Sequence, residues 1–210
     1  MGYFIEVRAD MRRDPSVRVD AWRASQLVAA AVHSANFGLD PADRLGLAFP
    51  RLVEGDAVPA GVIRVIGQDA ASLDRLLASR RFAELASQGA KIRGPAEVPA
   101  DATLVSFVRQ RATEAASAGG RARAARRTAR KVAEREARGE TVTSPPLPAA
   151  GRGGARRGAG ILIWMESAST GGTFALAVET APCGDGGLDS YGLSSSQGTG
   201  TGVGLPHWNA

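Results

Sequence analysis

One stretch of the sequence, from Gly120 to Gly139, limits what the chain can fold into more than any other. Residues 121–138 include eight basic and two acidic side chains, and most of the remaining residues there are alanine. Alanine and arginine both favour the helix, and the two glycines stand where helices commonly end. A helix of this composition has almost no apolar face to bury, so it cannot be a core helix. The stretch therefore predicts a surface helix over residues 121–138.

The positive charge of the chain is concentrated in this helix. The whole chain carries a net charge of +5, whereas residues 121–138 alone carry +6. Arginines at positions i, i+3, i+4 and i+7 share one helix face, and the residues with this spacing are Arg123, Arg126, Arg127 and Arg130. A guanidinium group can clamp a phosphate or a guanine edge with two hydrogen bonds. A solvated charged helix and a genomic bias toward arginine are alternatives, but the local concentration favours a nucleic acid partner.

Composition excludes several classes of protein and site. The only cysteine is Cys183, which excludes a disulfide framework and a cysteine-rich zinc site. The two histidines, His33 and His207, are too few for a typical metal cluster. No apolar run is long enough to cross a membrane, and the N-terminal residues lack the apolar region of a secretory signal. We therefore expect a cytoplasmic protein with no metal, no other cofactor and no membrane partner.

The order of the apolar segments predicts a fold of the α+β class. The expected elements are strands at 3–8, 44–49, 62–67 and 91–93, the last ended by Pro95, and helices at 20–37 and 69–85. Asp20 and Asp69 stand where they can cap the two helices. The order β-α-β-β-α-β is that of the ferredoxin-like arrangement, an antiparallel sheet with two helices on one face. Residues 1–98 are expected to form this domain.

The second half, residues 99–210, is expected to form a smaller α/β domain that carries the basic helix. Its expected strands lie at 103–111, 161–165 and 173–178. Residues 140–160 are rich in Pro, Gly, Ala and Arg, a composition that predicts a mobile loop. The tail from Ser194 to Gly204 consists largely of Ser, Gly and Thr and is expected to be loose.

Five short stretches, taken in order with the basic helix among them, resemble a known family. They are AAAVHSANFG, DRLGLAFP, GAKIRGPAEVP, ESASTGGTF and SYGLS. The chain resembles the CRISPR repeat-processing endoribonucleases of type I-F systems. The resemblance implies a ferredoxin-like domain followed by a second domain whose Arg-rich helix enters the major groove of the CRISPR repeat RNA hairpin. It also implies metal-independent cleavage at the 3′ base of the stem, through attack by a 2′-hydroxyl.

The resemblance further implies the products and the partners. Cleavage would leave a 2′,3′-cyclic phosphate and a 5′-hydroxyl, and the enzyme would stay on its product and join other subunits of the surveillance complex. The catalytic residues of the family match His33, Ser167 and Tyr191. Its RNA-binding residues match Ser169 in the turn and Phe174, an aromatic that stacks at the foot of the stem. The residues implied to read stem bases are Arg109, Gln110 and Arg111.

Each of these residues also has a plain structural interpretation. His33 could be an ordinary helix histidine, the two serines could be turn residues, and Tyr191 and Phe174 could only pack. His207 has no counterpart in the family and is expected at the surface. Two other functions stay open from the sequence: a catalytically weak or inactive hairpin-binding subunit of a CRISPR effector complex, and a ribosome-associated or general RNA-binding protein.

Overall fold

The computed structural model of the protein contains two four-stranded antiparallel sheets and is of the α+β class, as predicted. It describes residues 2–9, 20–53, 61–110, 118–140, 160–166, 171–184, 187–194 and 203–208. None of the helices in these ranges is long and apolar enough to span a membrane.

The first sheet is built from the N-terminal half of the chain. Its strands are β1 (Tyr3–Arg8), β2 (Gly46–Ala48), β3 (Val62–Gly67) and β4 (Lys91–Glu97). They lie in the order β2-β3-β1-β4, and all of the pairs are antiparallel. Helices α1 (Ala21–Ala35), α2 (Pro50–Val53), α3 (Ala70–Leu77) and α4 (Arg80–Ser87) complete this half. The strand order and the β-α-β-β-α-β succession agree with a ferredoxin-like arrangement.

Helix α1 is fixed at both ends by polar side chains. At its start the Asp20 carboxylate accepts a hydrogen bond from the backbone N–H of Arg23 at 2.7 Å, as an N-cap does. At its end the buried amide of Asn36 donates to the carbonyl of Leu45 at 2.9 Å and accepts from the N–H of Leu45 at 2.8 Å. The last turn of α1, which carries His33, is therefore tied to the segment that enters β2.

Two sequence predictions for this half were wrong in detail. The helix expected to run from Asp69 to about Leu85 is two helices, because Ser79 adopts an extended N-cap conformation between α3 and α4. Serine favours such cap positions over helix interiors. The fourth strand does not stop at Pro95 but continues to Glu97. A proline is tolerated there because β4 lies at the edge of the described sheet, beside β1.

The second sheet is built from the C-terminal half and lies in the order β6-β7-β5-β8. Its strands are β5 (Thr103–Arg109), β6 (Gly160–Glu166), β7 (Thr173–Ala181) and β8 (Leu205–His207). The basic helix α5 (Ala118–Glu136) precedes β6. The sequence analysis expected His207 at the surface, and this was wrong. Strand β8 pairs with β5, which leaves His207 only 9% exposed. Residues 141–159 of the expected loop, and residues 195–202 of the tail, lie outside the described residues.

The two halves share one hydrophobic core. Leu205 of β8 packs so closely on Gly46 that a Cβ there would come within 2.5 Å of its methyl group. Arg64, buried in β3, donates to Glu6 at 2.9 Å and to the carbonyl of Trp208 at 2.6 Å. Burial by itself would raise the pKa of Glu6, but hydrogen bonds from Arg8 and Arg64 hold that pKa below its usual value. The division into domains at residues 98 and 99 stays a prediction, and it falls between β4 and β5.

Candidate active site and nucleic-acid interface

His33 lies in the last turn of α1, with its imidazole half-buried. Its ring stacks on the ring of Tyr191, with centroids 4.3 Å apart and planes inclined by only 10°. The two residues come from opposite ends of the chain. Their stacking brings together two of the three residues that the resemblance assigned to catalysis.

The turn that carries Tyr191 is held from inside by an acid. Asp189 is buried, and its Oδ1 accepts hydrogen bonds from the N–H groups of Tyr191 at 2.8 Å and Leu193 at 3.2 Å. Gly192 has a positive φ of 72°, and a Cβ at this position would lie 2.5 Å from the carbonyl oxygen of Leu45. The carbonyl of Gly192 also accepts from the N–H of Leu47 at 2.7 Å. The turn is thus held against residues 45–47, the segment to which Asn36 at the end of α1 is also bonded.

Phe174 joins the same cluster from β7. It pairs with Met165 of β6 and meets the Tyr191 ring edge-on, with centroids 6.3 Å apart and planes at 70°. Edge-to-face contacts of this kind are favourable arrangements of aromatic rings. The half-buried Phe174 therefore lies beside the His33–Tyr191 stack, close to where strands β6 and β7 are joined.

The two serines of the implied site lie outside the described residues. Strand β6 ends at Glu166, which pairs with Thr173 at the start of β7, and Ser167 and Ser169 belong to the segment between them. The roles of both serines stay predictions. Arg111, one of the three residues expected to read bases, also lies outside the described residues.

Arg109, the last residue of β5, points into the site rather than away from the protein. Its side chain is 19% exposed, and its Nη1 lies 3.6 Å from Oδ2 of Asp189. Its guanidinium carbon lies 5.2 Å from the centroid of the Tyr191 ring. The neighbouring Gln110 is held at the backbone, where its N–H donates to the carbonyl of Ala177 at 2.8 Å. A cation over an aromatic face is attracted by the negative charge of the ring face.

Asp189 is the site residue that the sequence analysis missed. An Asp-Ser-Tyr-Gly sequence is typical of a turn in which the carboxylate accepts from the backbone two residues ahead, so the signal was present. Two buried polar atoms of the cluster have no hydrogen-bond partner among the described residues, Nδ1 of His33 and Oδ2 of Asp189. Buried polar atoms are usually satisfied. Both atoms are screened from solvent.

Helix α5 forms a separate basic surface. The prediction of a helix here is confirmed, and Arg126, Arg127 and Arg130 are exposed on it. The side chain of Arg123 lies outside the described part of the structure. Toward the C-terminal end of the helix Glu140 accepts from Arg135 at 2.7 Å and lies 3.3 Å from Arg138, which neutralises part of the charge there. In the middle of the helix Arg130 lies 3.4 Å from Glu134, and residues 121–138 as a whole still carry a net charge of +6.

Among the described residues, no group of three or more His, Cys, Asp and Glu side chains is arranged to hold a metal ion. The side chains that the fold does bring together are an imidazole, a phenol, a guanidinium, a carboxylate and a phenyl ring. This set can move a proton, hold a phosphate and stack on a base.

One comparison with known proteins is informative. A family model described as CRISPR-associated protein (Cas_Csy4) matches residues 9–208, nearly the whole chain. No curated protein matches the sequence.

Proposed function

The chain belongs to the CRISPR-associated Csy4 family, the repeat-processing endoribonucleases of type I-F systems, and we propose that it cleaves CRISPR precursor RNA at the 3′ base of the repeat hairpin. The observation that carries this proposal is the stack of His33 on Tyr191 beside Phe174. An imidazole, which can accept a proton, therefore meets two aromatic rings at one point of the fold.

The proposed reaction uses the RNA as its own nucleophile. His33 accepts the proton of the 2′-hydroxyl, whose oxygen attacks the adjacent phosphorus, while the bond from phosphorus to the 5′-oxygen breaks. The departing 5′-oxygen takes up a proton from solvent, so the products are a 2′,3′-cyclic phosphate and a 5′-hydroxyl. Imidazole suits the base because its unperturbed pKa lies close to neutral pH. Because Nδ1 of His33 is screened from solvent, Nε2 is the nitrogen that meets the hydroxyl.

The other residues of the site orient these groups. The Tyr191 ring restricts rotation of the imidazole through stacking, and Phe174 supplies a surface for the base pair at the foot of the stem. Ser167 orients the attacking hydroxyl, and Ser169 contacts the RNA beside it. Correct positioning of the nucleophile against the phosphate provides much of the rate enhancement in such a reaction. No step of this scheme requires a metal ion.

Helix α5 supplies the affinity for the hairpin. The major groove of regular A-form RNA is deep and narrow and is poorly accessible to side chains. A short hairpin opens this groove near the end of its stem, where Arg126, Arg127 and Arg130 can reach phosphates and base edges. Contacts of this number and charge keep the enzyme on its product, which lets it join other subunits of the surveillance complex.

A hairpin with a single 2′-deoxy nucleotide before the scissile phosphate tests the proposal. The protein should bind this RNA with the affinity of the all-ribose hairpin and leave it intact, and chelator should not change cleavage of the all-ribose RNA. A matched hairpin with the deoxy nucleotide one position further along should be cleaved at the normal rate. Cleavage of the first RNA would show that water attacks instead, and binding without any cleavage of the ribose hairpin would make the protein a hairpin-binding subunit.

A further inference from the structure

Asp189 contacts two different parts of the site with one carboxylate. Its side chain is 8% exposed, and Oδ1 accepts from the N–H groups of Tyr191 and Leu193. Oδ2 lies 3.6 Å from the guanidinium of Arg109. One oxygen therefore shapes the turn that carries Tyr191, and the other faces the cation that lies over the Tyr191 ring.

We infer that Asp189 is a positioning residue that keeps Tyr191 stacked on His33, an inference that rests on the proposed function. Oδ1 fixes the backbone of the turn, and Oδ2 holds Arg109 over the ring. The ring of Tyr191 is then restrained through its own backbone and by its contacts with His33, Arg109 and Phe174. Asp189 acts on the imidazole through these neighbours.

The turn alone does not require a negative charge at Asp189, and burying that charge costs free energy. Burying a carboxylate is unfavourable unless a cation and hydrogen bonds compensate for the lost water. A neutral asparagine could accept the same two backbone hydrogen bonds through its side-chain oxygen. Among the described residues the cation that faces this charge is Arg109, so the two oxygens have separate tasks.

The rest of the turn is anchored independently of Asp189. The N–H of Ser194 donates to the carbonyl of Phe107 at 2.7 Å, and the carbonyl of Ser194 accepts from the N–H of Arg109 at 3.2 Å. Buried Leu193 also belongs to the hydrophobic core. Loss of Asp189 should therefore loosen the tip of the turn, where Tyr191 lies, and leave the fold intact.

The imidazole signals of the RNA-free protein report this loosening directly. The chain has only two histidines, so the spectrum contains two ring systems, and His33→Ala assigns them. Stacking on Tyr191 shifts the ring protons of His33 upfield. In Asp189→Ala these signals should move toward their positions in free histidine, while those of the buried His207 stay in place. Asp74→Asn, which removes an exposed carboxylate from α3, is the matched control and should move neither set.

Cleavage under single-turnover conditions, at saturating repeat hairpin, provides the second readout. Asp189→Ala should lower the rate about tenfold or more, because small displacements of a reacting group are costly. Affinity for the 2′-deoxy hairpin should change by less than about threefold, since a loss of rate without a loss of binding marks an effect on the transition state. Asp189→Asn keeps the turn and removes only the charge, so it should slow cleavage less.

A double-mutant cycle tests whether the charge acts through Arg109. Asp189→Asn should cost little further rate when Arg109 is already alanine, because residues that share one interaction are not additive. Full additivity would overturn the assignment, as would unchanged His33 signals in a folded Asp189→Ala protein. If the wild-type protein fails to cleave the hairpin, the proposed function is refuted, while the imidazole spectrum still decides whether Asp189 positions the stack.

Discussion

The His33 centre and helix α5 differ in what holds them in place. His33, Tyr191 and Phe174 come from three separate parts of the chain and are fixed by ring contacts, backbone hydrogen bonds and the shared core. Helix α5 comes from one continuous stretch, and its described side chains are mostly exposed. The alanines and the charge of this stretch account for its helical structure and for its exposure.

This difference matches the two tasks that the proposed function requires. Proton transfer needs groups held within a narrow range of distances, which only a packed tertiary structure provides. Attraction of a phosphate backbone needs charge at about the right place and tolerates variation in side-chain geometry. We therefore expect changes in the first region to alter the rate of cleavage and changes in the second region to alter affinity.

The largest expected effect follows from removal of the base. His33→Ala should slow single-turnover cleavage by about 10²–10⁴-fold, the usual contribution of a positioned acid–base group. Binding of the hairpin should hardly change, because one imidazole adds little beside the charge of α5. The neighbouring exposed Ser34→Ala is the control and should cleave normally. Full activity of His33→Ala would remove the centre from the mechanism and leave α5 as the only functional region.

The next effect should appear in affinity. Replacing Arg123, Arg126, Arg127 and Arg130 with alanine should weaken hairpin binding and flatten its dependence on salt, because each lost phosphate contact reduces the log–log slope by about 0.7–0.9. Titrations at several salt concentrations measure this slope. The saturated cleavage rate should stay close to that of the wild type.

A second variant of the same helix serves as the control for this prediction. Arg135 and Arg138 share Glu140, and Arg130 of the four-arginine set pairs with Glu134. Arg135→Ala combined with Arg138→Ala removes two positive charges instead of four, so it should flatten the salt dependence less. An unchanged slope in the four-arginine variant would exclude α5 from the interface. A large loss of cleavage rate at saturating RNA in the four-arginine variant would show that α5 contributes to catalysis as well as to binding.

The same contrast explains what the sequence could predict. Local patterns correctly indicated helix α5 and the caps Asp20 and Asp69, because propensity, charge and capping act within a few residues. The break at Ser79 was missed because its preference for a cap competed with a continuous apolar pattern, and that competition is decided by packing. Boundaries between elements depend on such small differences in free energy.

The sequence predicted the long-range contacts only in part. The stack of His33 on Tyr191 joins distant segments. The family resemblance implied that both residues are catalytic, but no pattern in the sequence predicted that their rings stack. His207 was misplaced because β8 follows a Gly-rich segment, and only the pairing of β8 with β5 explains its burial. Asp189 was missed because a turn aspartate is usually exposed, whereas here it faces Arg109.

Two glycines with positive φ, one in each region, allow the two regions to be compared directly by substitution. Gly192 has φ 72° and Gly139 has φ 74°, so alanine at either position incurs about 1–2 kcal/mol of backbone strain. A Cβ at Gly192 would also lie 2.5 Å from the carbonyl of Leu45, whereas a Cβ at Gly139 would meet nothing within 4 Å. Gly192→Ala should therefore lower the free energy of unfolding more and slow cleavage, as thermal unfolding and kinetics will measure. Equal losses at both positions would mean that the Tyr191 turn is no more constrained than the end of α5.

Arg109 lies between the two regions, since it is expected to read a base and yet belongs to the His33 cluster. Loss of a bidentate contact to guanine should cost about 1–3 kcal/mol of affinity. If Arg109 or Arg111 makes that contact, the alanine variant should lose more affinity for the cognate hairpin than for one with a scrambled stem. Equal losses on both RNAs would make the residue a phosphate contact instead. Because Arg109 also lies over Tyr191, Arg109→Ala, unlike Arg111→Ala, should also cleave more slowly at saturating RNA. If Arg109→Ala loses affinity but keeps its cleavage rate, the base-reading surface is separate from the catalytic centre.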